Sequence, residues 1–267
     1  MAVDRPCTSY SAGVRRILSW ATTVPFLLAF GASLVVFDVA GRIARPFSLR
    51  AFEYVMAGLQ RTLTALFAIC GTRVHIERPA SIRPHTGYVV IANHQSLFDI
   101  AILGGMLFTN FPKYVAKQEL GRWIPSISLN LKRGGNALID RNDRRQALRA
   151  IRDMATTAQE RNVSVVIFPE GTRSRDGALG EFKRAGSAAL LRQADSLPVV
   201  PMAIDGAWRL LEHNMLPVPF GTTVRVRFGE PIPRFGDDGE AMLTHAEEFI
   251  ARTLAEWRRD SADSQSR

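Results

Sequence analysis

Two residues able to do chemistry together stand five positions apart, His94 and Asp99, in the segment Asn93-His94-Gln95-Ser96-Leu97-Phe98-Asp99. An imidazole steadied by a carboxylate is a general base for a hydroxyl nucleophile. The same residues have plainer uses. Ser96-x-x-Asp99 fits a helix capping box, which would spend Asp99 on closing the first turn. Ser96 could be read as a nucleophile, but its hydroxyl is better used as a helix cap. A second segment adds weight: Phe168-Pro169-Glu170-Gly171-Thr172-Arg173-Ser174 follows the apolar run Val165-Val166-Ile167. Gly171 lets the backbone turn or approach a ligand closely. Arg173 offers a planar, five-donor fork suited to phosphate or carboxylate.

These groups need a frame. Tyr88-Val89-Val90-Ile91-Ala92 reads as a buried strand and residues 97–107 as a helix, so His94 stands where a strand end opens into a helix. Further strands are predicted at 73–76, 113–116, 137–140, 164–168, 198–204 and 223–228, and further helices at 143–159, 183–194 and 239–259. The last carries Met242, Leu243, Ala246, Phe249, Ile250, Leu254 and Trp257 on one side. Alternating strands and helices predict an α/β sheet packed by helices.

The ordered segments together resemble the glycerolipid acyltransferases, and within them the lysophosphatidic acid acyltransferase (1-acyl-sn-glycerol-3-phosphate acyltransferase) family. Three more blocks agree. Gly135-Asn136-Ala137-Leu138-Ile139-Asp140-Arg141 resembles the family's second motif, and Leu197-Pro198-Val199-Val200-Pro201-Met202-Ala203 its fourth. Tyr114-Val115-Ala116-Lys117-Gln118-Glu119-Leu120 resembles the lysine-bearing segment between the first two, with Gln118 where a second basic residue is common.

The resemblance implies a central mixed sheet covered by helices, with an N-terminal membrane-associated helical hairpin. It implies transfer of an acyl group from an acyl thioester, acyl-CoA or acyl-ACP, to the sn-2 hydroxyl of 1-acylglycerol-3-phosphate, giving phosphatidic acid. His94 and Asp99 would be catalytic; Lys117, Arg141, Glu170, Gly171, Thr172 and Arg173 would bind substrate. Glu170 would orient Arg173 or contact glycerol hydroxyls, and Lys183 and Arg184 are candidates for the donor's phosphates. No metal is implied, and no cofactor beyond the thioester co-substrate. The partners implied are a membrane lipid (lysophosphatidic acid), acyl-CoA or acyl carrier protein, and the membrane itself, at an inner membrane with the site facing the cytoplasm. Another lysolipid acceptor, such as a lyso-ornithine lipid, and a non-catalytic membrane-binding role remain alternatives. A serine hydrolase is disfavoured, because no G-x-S-x-G elbow is present.

Composition sets the limits. The chain has 267 residues, 46% hydrophobic and 22% charged, with a formal charge of +9. That charge suits an anionic membrane or acidic substrates. It comes without a zinc-finger, RNA-binding or helix-turn-helix signature, so nucleic acid ranks low. Cys7 and Cys70 suggest neither a disulfide framework nor a metal site. His75, His85, His213 and His245 fall outside the motifs and lack ligand spacing. Residues 17–37 carry no charge, a length able to reach across a bilayer core or to lie in one leaflet, and no clear signal-peptide cleavage site follows. Arginines flank both ends, so charge leaves orientation open. Residues 52–69 predict an amphipathic helix. The division expected is a helical segment at 1–70, an acyltransferase domain at 71–260 and a disordered tail at 261–267.

Overall fold

The computed structural model describes residues 12–212, 214, 216–234 and 239–265. Seven strands follow the predicted order: β1 (Arg73–Glu77), β2 (Val89–Ala92), β3 (Lys113–Lys117), β4 (Ala137–Ile139), β5 (Val165–Ile167), β6 (Val199–Asp205) and β7 (Thr223–Phe228). They form one sheet in the order β1-β7-β6-β2-β5-β3-β4. Every neighbouring pair is parallel except β6 with β7, so the sheet is mixed.

The unbroken apolar runs in β2 and β5 have a direct cause: both faces of the sheet are covered. Val89 and Ile91 point into a core built with α5 (Arg144–Glu160), α6 (Arg184–Gln193) and α7 (Gly239–Gln265). Val90 and Ala92 point the other way, toward α3 (Asp99–Met106) and the N-terminal helices. The chain leaves β2 through α3 to reach β3 on one side, and returns from β5 through α6 to β6 on the other. His94 therefore follows the strand at which the winding reverses, where open α/β sheets leave a crevice.

Residues 1–70 were expected to form helices, and two cover the described part, α1 (Ala12–Phe47) and α2 (Leu49–Leu66), followed by a 3₁₀ turn at Phe67–Cys70. Ser48 alone joins them, its side chain accepting from the Arg50 and Ala51 N–H groups. The helices run antiparallel: Phe26 stacks on Phe67 with ring centroids 5.3 Å apart, and Cys70 donates to Thr22 O. α1 extends well beyond the charge-free stretch and carries Pro25 within it. Its buried side fixes it to the protein, while Ile17, Val24, Leu28, Val35, Val36, Val39, Ile43 and Phe47 remain exposed.

The hairpin is tied to the α/β domain at a second place. Glu53 of α2 is buried and meets Lys113 Nζ at 2.5 Å and Arg161 Nη2 at 2.8 Å. Burial pushes the Glu53 carboxyl up, but hydrogen bonding and charge from Arg161 and Lys113 outweigh it and hold the group below its usual range.

The structure adds one helix to the predicted set and lengthens another. A short helix, α4 (Ile127–Arg133), precedes β4; it has no continuous apolar face, and Leu131 is its one buried residue. α7 runs on to Gln265, through residues 261–265 that were expected to be disordered. The expectations for Cys7, His213 and residues 266–267 lie outside the described residues.

Candidate active site

Strand β2 stops pairing through its main chain at Ala92, and the next side chain continues the ladder. Asn93 Oδ1 accepts from Ile204 N and Asn93 Nδ2 donates to Ile204 O, both at 2.8 Å. This paired amide fixes the backbone that carries His94. The imidazole Nδ1 lies 2.8 Å from Asp99 Oδ2, and the ring stacks on Phe168 with centroids 4.2 Å apart. Nε2 is left for the cavity that His94 lines.

Asp99 serves both readings of the segment at once. Its Oδ2 also accepts from the Gln95 and Ser96 N–H groups, at 2.7 and 2.8 Å, while Ser96 Oγ accepts from Phe98 N. The carboxylate is fully buried and the His94 side chain is 17% exposed. Capping has therefore locked the carboxylate in the position from which it can orient the imidazole. Phe98 adds a brace: its ring meets Phe67 edge-on at 4.7 Å and Phe30 at 6.0 Å. Through it the hairpin packs against the turn that holds the pair.

The second motif is clamped onto the first. His94 N donates to Glu170 Oε1 at 2.7 Å, Gly180 N to Glu170 Oε2 at 2.8 Å, and Ser174 N to His94 O at 2.8 Å. Burial pushes the Glu170 carboxyl up, opposed by the two N–H donors. The expected contact of Glu170 with Arg173 or with glycerol hydroxyls is corrected: both oxygens are committed to backbone, and the residue is 3% exposed. Gly171 has a φ of 65°, and a Cβ there would stand 3.3 Å from Lys183 Cδ. The turn thus needs the glycine for its conformation and for its neighbour.

The cations divide into two groups. A cavity of about 450 Å³ is lined by His94, Lys117, Arg141, Gly171 and Lys183, with an apolar wall of Val115, Ile139, Leu148 and Ile151. A separate depression of about 560 Å³ is lined by Gln95, Leu97, Thr172, Arg173, Arg175 and Trp208. The two adjoin across the His94–Gln95 and Gly171–Thr172 peptides. Lys117 and Arg141 thus stand on one side of this boundary and Arg173 on the other. Arg173 is exposed and has no ion pair among the described residues. Arg184, a candidate for phosphate, instead bonds Glu240 and Glu247 of α7 at 2.9 and 3.1 Å.

Arg144 and Ser187 also line the His94 cavity, and no motif in the sequence marks them. Both stand in the first turn of their helices, α5 and α6, a position that hydrophobic periodicity does not mark.

This strand-end histidine and carboxylate, on a mixed sheet wound around β2, belong to a recognised class of domain. The Acyltransferase family model matches residues 73–205, from β1 to the end of β6. The chain belongs to that family. It is 32% identical to a 1-acyl-sn-glycerol-3-phosphate acyltransferase of Cocos nucifera over 69% of this chain and 58% of that protein. With the protein of the same name from Escherichia coli it shares 26% over 85% of this chain and 91% of the relative. The chain thus spans a little over half of the coconut protein but nearly all of the bacterial one. The fold matches the crystal structure of the 1-acyl-sn-glycerophosphate (LPA) acyltransferase of Thermotoga maritima, with a TM-score of 0.74, 24% identity, and coverage of 91% of this chain and 98% of that one.

Proposed function

We propose that this chain is a 1-acylglycerol-3-phosphate O-acyltransferase, which moves an acyl group from an acyl thioester to the sn-2 hydroxyl of lysophosphatidic acid. The observation that carries the reading is the His94–Asp99 pair at 2.8 Å, with the carboxylate buried and the other imidazole nitrogen left for a cation-lined cavity.

Neutral His94 takes the acceptor's hydroxyl proton on Nε2 as that oxygen attacks the thioester carbonyl. Asp99 holds the Nδ1–H tautomer and stabilises the imidazolium that forms. When the tetrahedral species collapses, the C–S bond breaks and the imidazolium returns its proton to the departing thiolate. Atoms balance with no covalent acyl-enzyme and with no cofactor beyond the co-substrate. A positioned base of this kind contributes about 10²–10⁴ in rate. Arg173 receives the acceptor phosphate, aided by Thr172 in the same depression. Lys117, Arg141 and Lys183 serve anionic groups on the other side of His94, where the apolar wall suits an acyl chain.

The way α1 is held supports a seat in one leaflet of the membrane. Near its start, Ser19 and Thr23 accept from Phe220 N and Val218 N; toward its end, Asp38 accepts from Ser126 N. A helix tied to one α/β domain at both ends does not thread a bilayer. Its exposed apolar side lies in one leaflet, at the cytoplasmic face of the inner membrane, so that a soluble donor meets a lipid acceptor.

The test is an acceptor panel with purified protein. Lysophosphatidic acid, other lysophospholipids and a lyso-ornithine lipid are each offered with acyl-CoA and with acyl-ACP. The reading requires lysophosphatidic acid to give the highest kcat/KM with at least one donor. A higher value for an acceptor without phosphate would overturn it.

A further inference from the structure

The segment between β3 and α4 carries a tryptophan in an unusual setting. Trp123 is 96% exposed and has a φ of 70°, in the left-handed region that a bulky side chain avoids. Ser126, three residues on, also has a positive φ, of 57°. The segment is nonetheless fixed. Ser126 N donates to Asp38 Oδ1 at 2.7 Å, and Ser126 Oγ donates to Leu34 O, so the turn is stapled to α1. Strain that surrounding contacts hold in place points to a use.

Trp123 stands at the edge of a groove of about 440 Å³ between α1 and α4, which also includes Arg42, Lys132 and Arg133. Asp38, the one carboxylate among the described residues that line the groove, is already taken by Arg42 at 2.6 Å and by Ser126 N. Lys132 and Arg133 are exposed and have no ion pair among the described residues. The groove thus offers uncompensated positive charge beside an indole. One helical step around α1 from Leu34 and Asp38 lie Val35 and Val39, both exposed. The groove is therefore continuous with the apolar stripe assigned above to the membrane.

We propose that this groove is a binding site for the headgroup of an anionic phospholipid, with Trp123 inserted at the bilayer interface and Lys132 and Arg133 facing the lipid phosphate. The inference rests on the membrane seating of α1 and adds a lipid preference to it. Indoles favour the headgroup level because one part of the ring is apolar and one donates a hydrogen bond. Cations near an anionic surface each add about a fivefold gain in affinity. The site lies apart from the His94 cavity, so it acts on docking and not on chemistry.

The experiment uses the full chain with vesicles of phosphatidylcholine alone and of phosphatidylcholine mixed with phosphatidylglycerol. Binding is read by co-sedimentation, and indole depth by quenching with brominated lipid. The wild type is expected to prefer the anionic vesicles. Lys132→Ala with Arg133→Ala should lower affinity for them about 25-fold while leaving affinity for neutral vesicles unchanged. Trp123→Phe should remove a lipid-quenched component from the fluorescence, and neither variant should alter acyl transfer in detergent micelles by more than about twofold. Retained anionic preference in the double variant, or an indole at Trp123 that lipid does not quench, overturns the proposal. A wild type that binds both vesicles equally overturns it too, while leaving α1 as a membrane helix. A wild type that binds neither refutes the membrane seating itself.

Discussion

Replacing Asp99 by Asn separates charge from position. In the wild type Asp99 Oδ2 accepts three hydrogen bonds, from His94 Nδ1 and from the Gln95 and Ser96 N–H groups, at 2.7–2.8 Å. An amide oxygen in the same place keeps all three, so the turn and the imidazole tautomer survive. The negative charge facing the imidazolium in the transition state is lost. At an effective dielectric near 20 and a charge separation of about 4 Å, that interaction is about 4 kcal/mol, or about 10³ in kcat. The new amide N–H₂ takes the place of Asp99 Oδ1, which is buried without a partner among the described residues. Its unmet donors cost about 1–3 kcal/mol of stability, a Tm loss of a few degrees. The assay is acyl transfer to lysophosphatidic acid at saturating substrate, beside a thermal melt of the same sample. A folded Asp99→Asn enzyme that keeps kcat within tenfold of wild type would refute the electrostatic role and reduce Asp99 to a helix cap.

Other substitutions test the remaining parts. Arg173→Ala should raise the acceptor KM about 10–100-fold, the loss of one charge-assisted contact, and leave the donor KM unchanged; an unchanged acceptor KM argues against phosphate at Arg173. Glu170→Gln leaves one amide N–H facing a backbone donor, His94 N or Gly180 N, and should lower stability by about 1–3 kcal/mol, measured by denaturant melts. Glu53→Gln leaves Lys113 buried without its carboxylate and should cost about 3–5 kcal/mol at neutral pH. The Glu53 carboxyl titrates below its unfolded value of 4.5 in the folded protein, so its contribution is full above that pH and is lost as pH falls through the folded value. The stability gap between wild type and Glu53→Gln should therefore narrow as acid is added below about pH 4.5; a gap independent of pH would remove the ion cluster as its cause.

Much of this architecture was legible because the strands are short, apolar and ended by turn residues. The positions of His94 and Arg173 at strand ends followed from the runs before them. What the sequence hid were interactions made across the fold. Nothing local distinguishes Glu170 as a clamp from Glu170 as a substrate ligand; its partners, His94 N and Gly180 N, are backbone groups 76 and 10 residues away. Lys117, Arg141 and Arg173 each sit on a motif, but their division between two cavities depends on the Gly171 turn, which sends adjacent residues to opposite sides. α4 leaves no mark in the sequence because a seven-residue helix with one buried side chain has no apolar period.

The most direct measurement is a single-turnover reaction of labelled lysophosphatidic acid with an acyl thioester, catalysed by wild type and by His94→Ala. Phosphatidic acid is expected from the wild type, and from the variant a rate lower by about 10²–10⁴, with its fold and vesicle binding retained. A folded His94→Ala protein that forms phosphatidic acid at close to the wild-type rate would contradict the general-base role of His94.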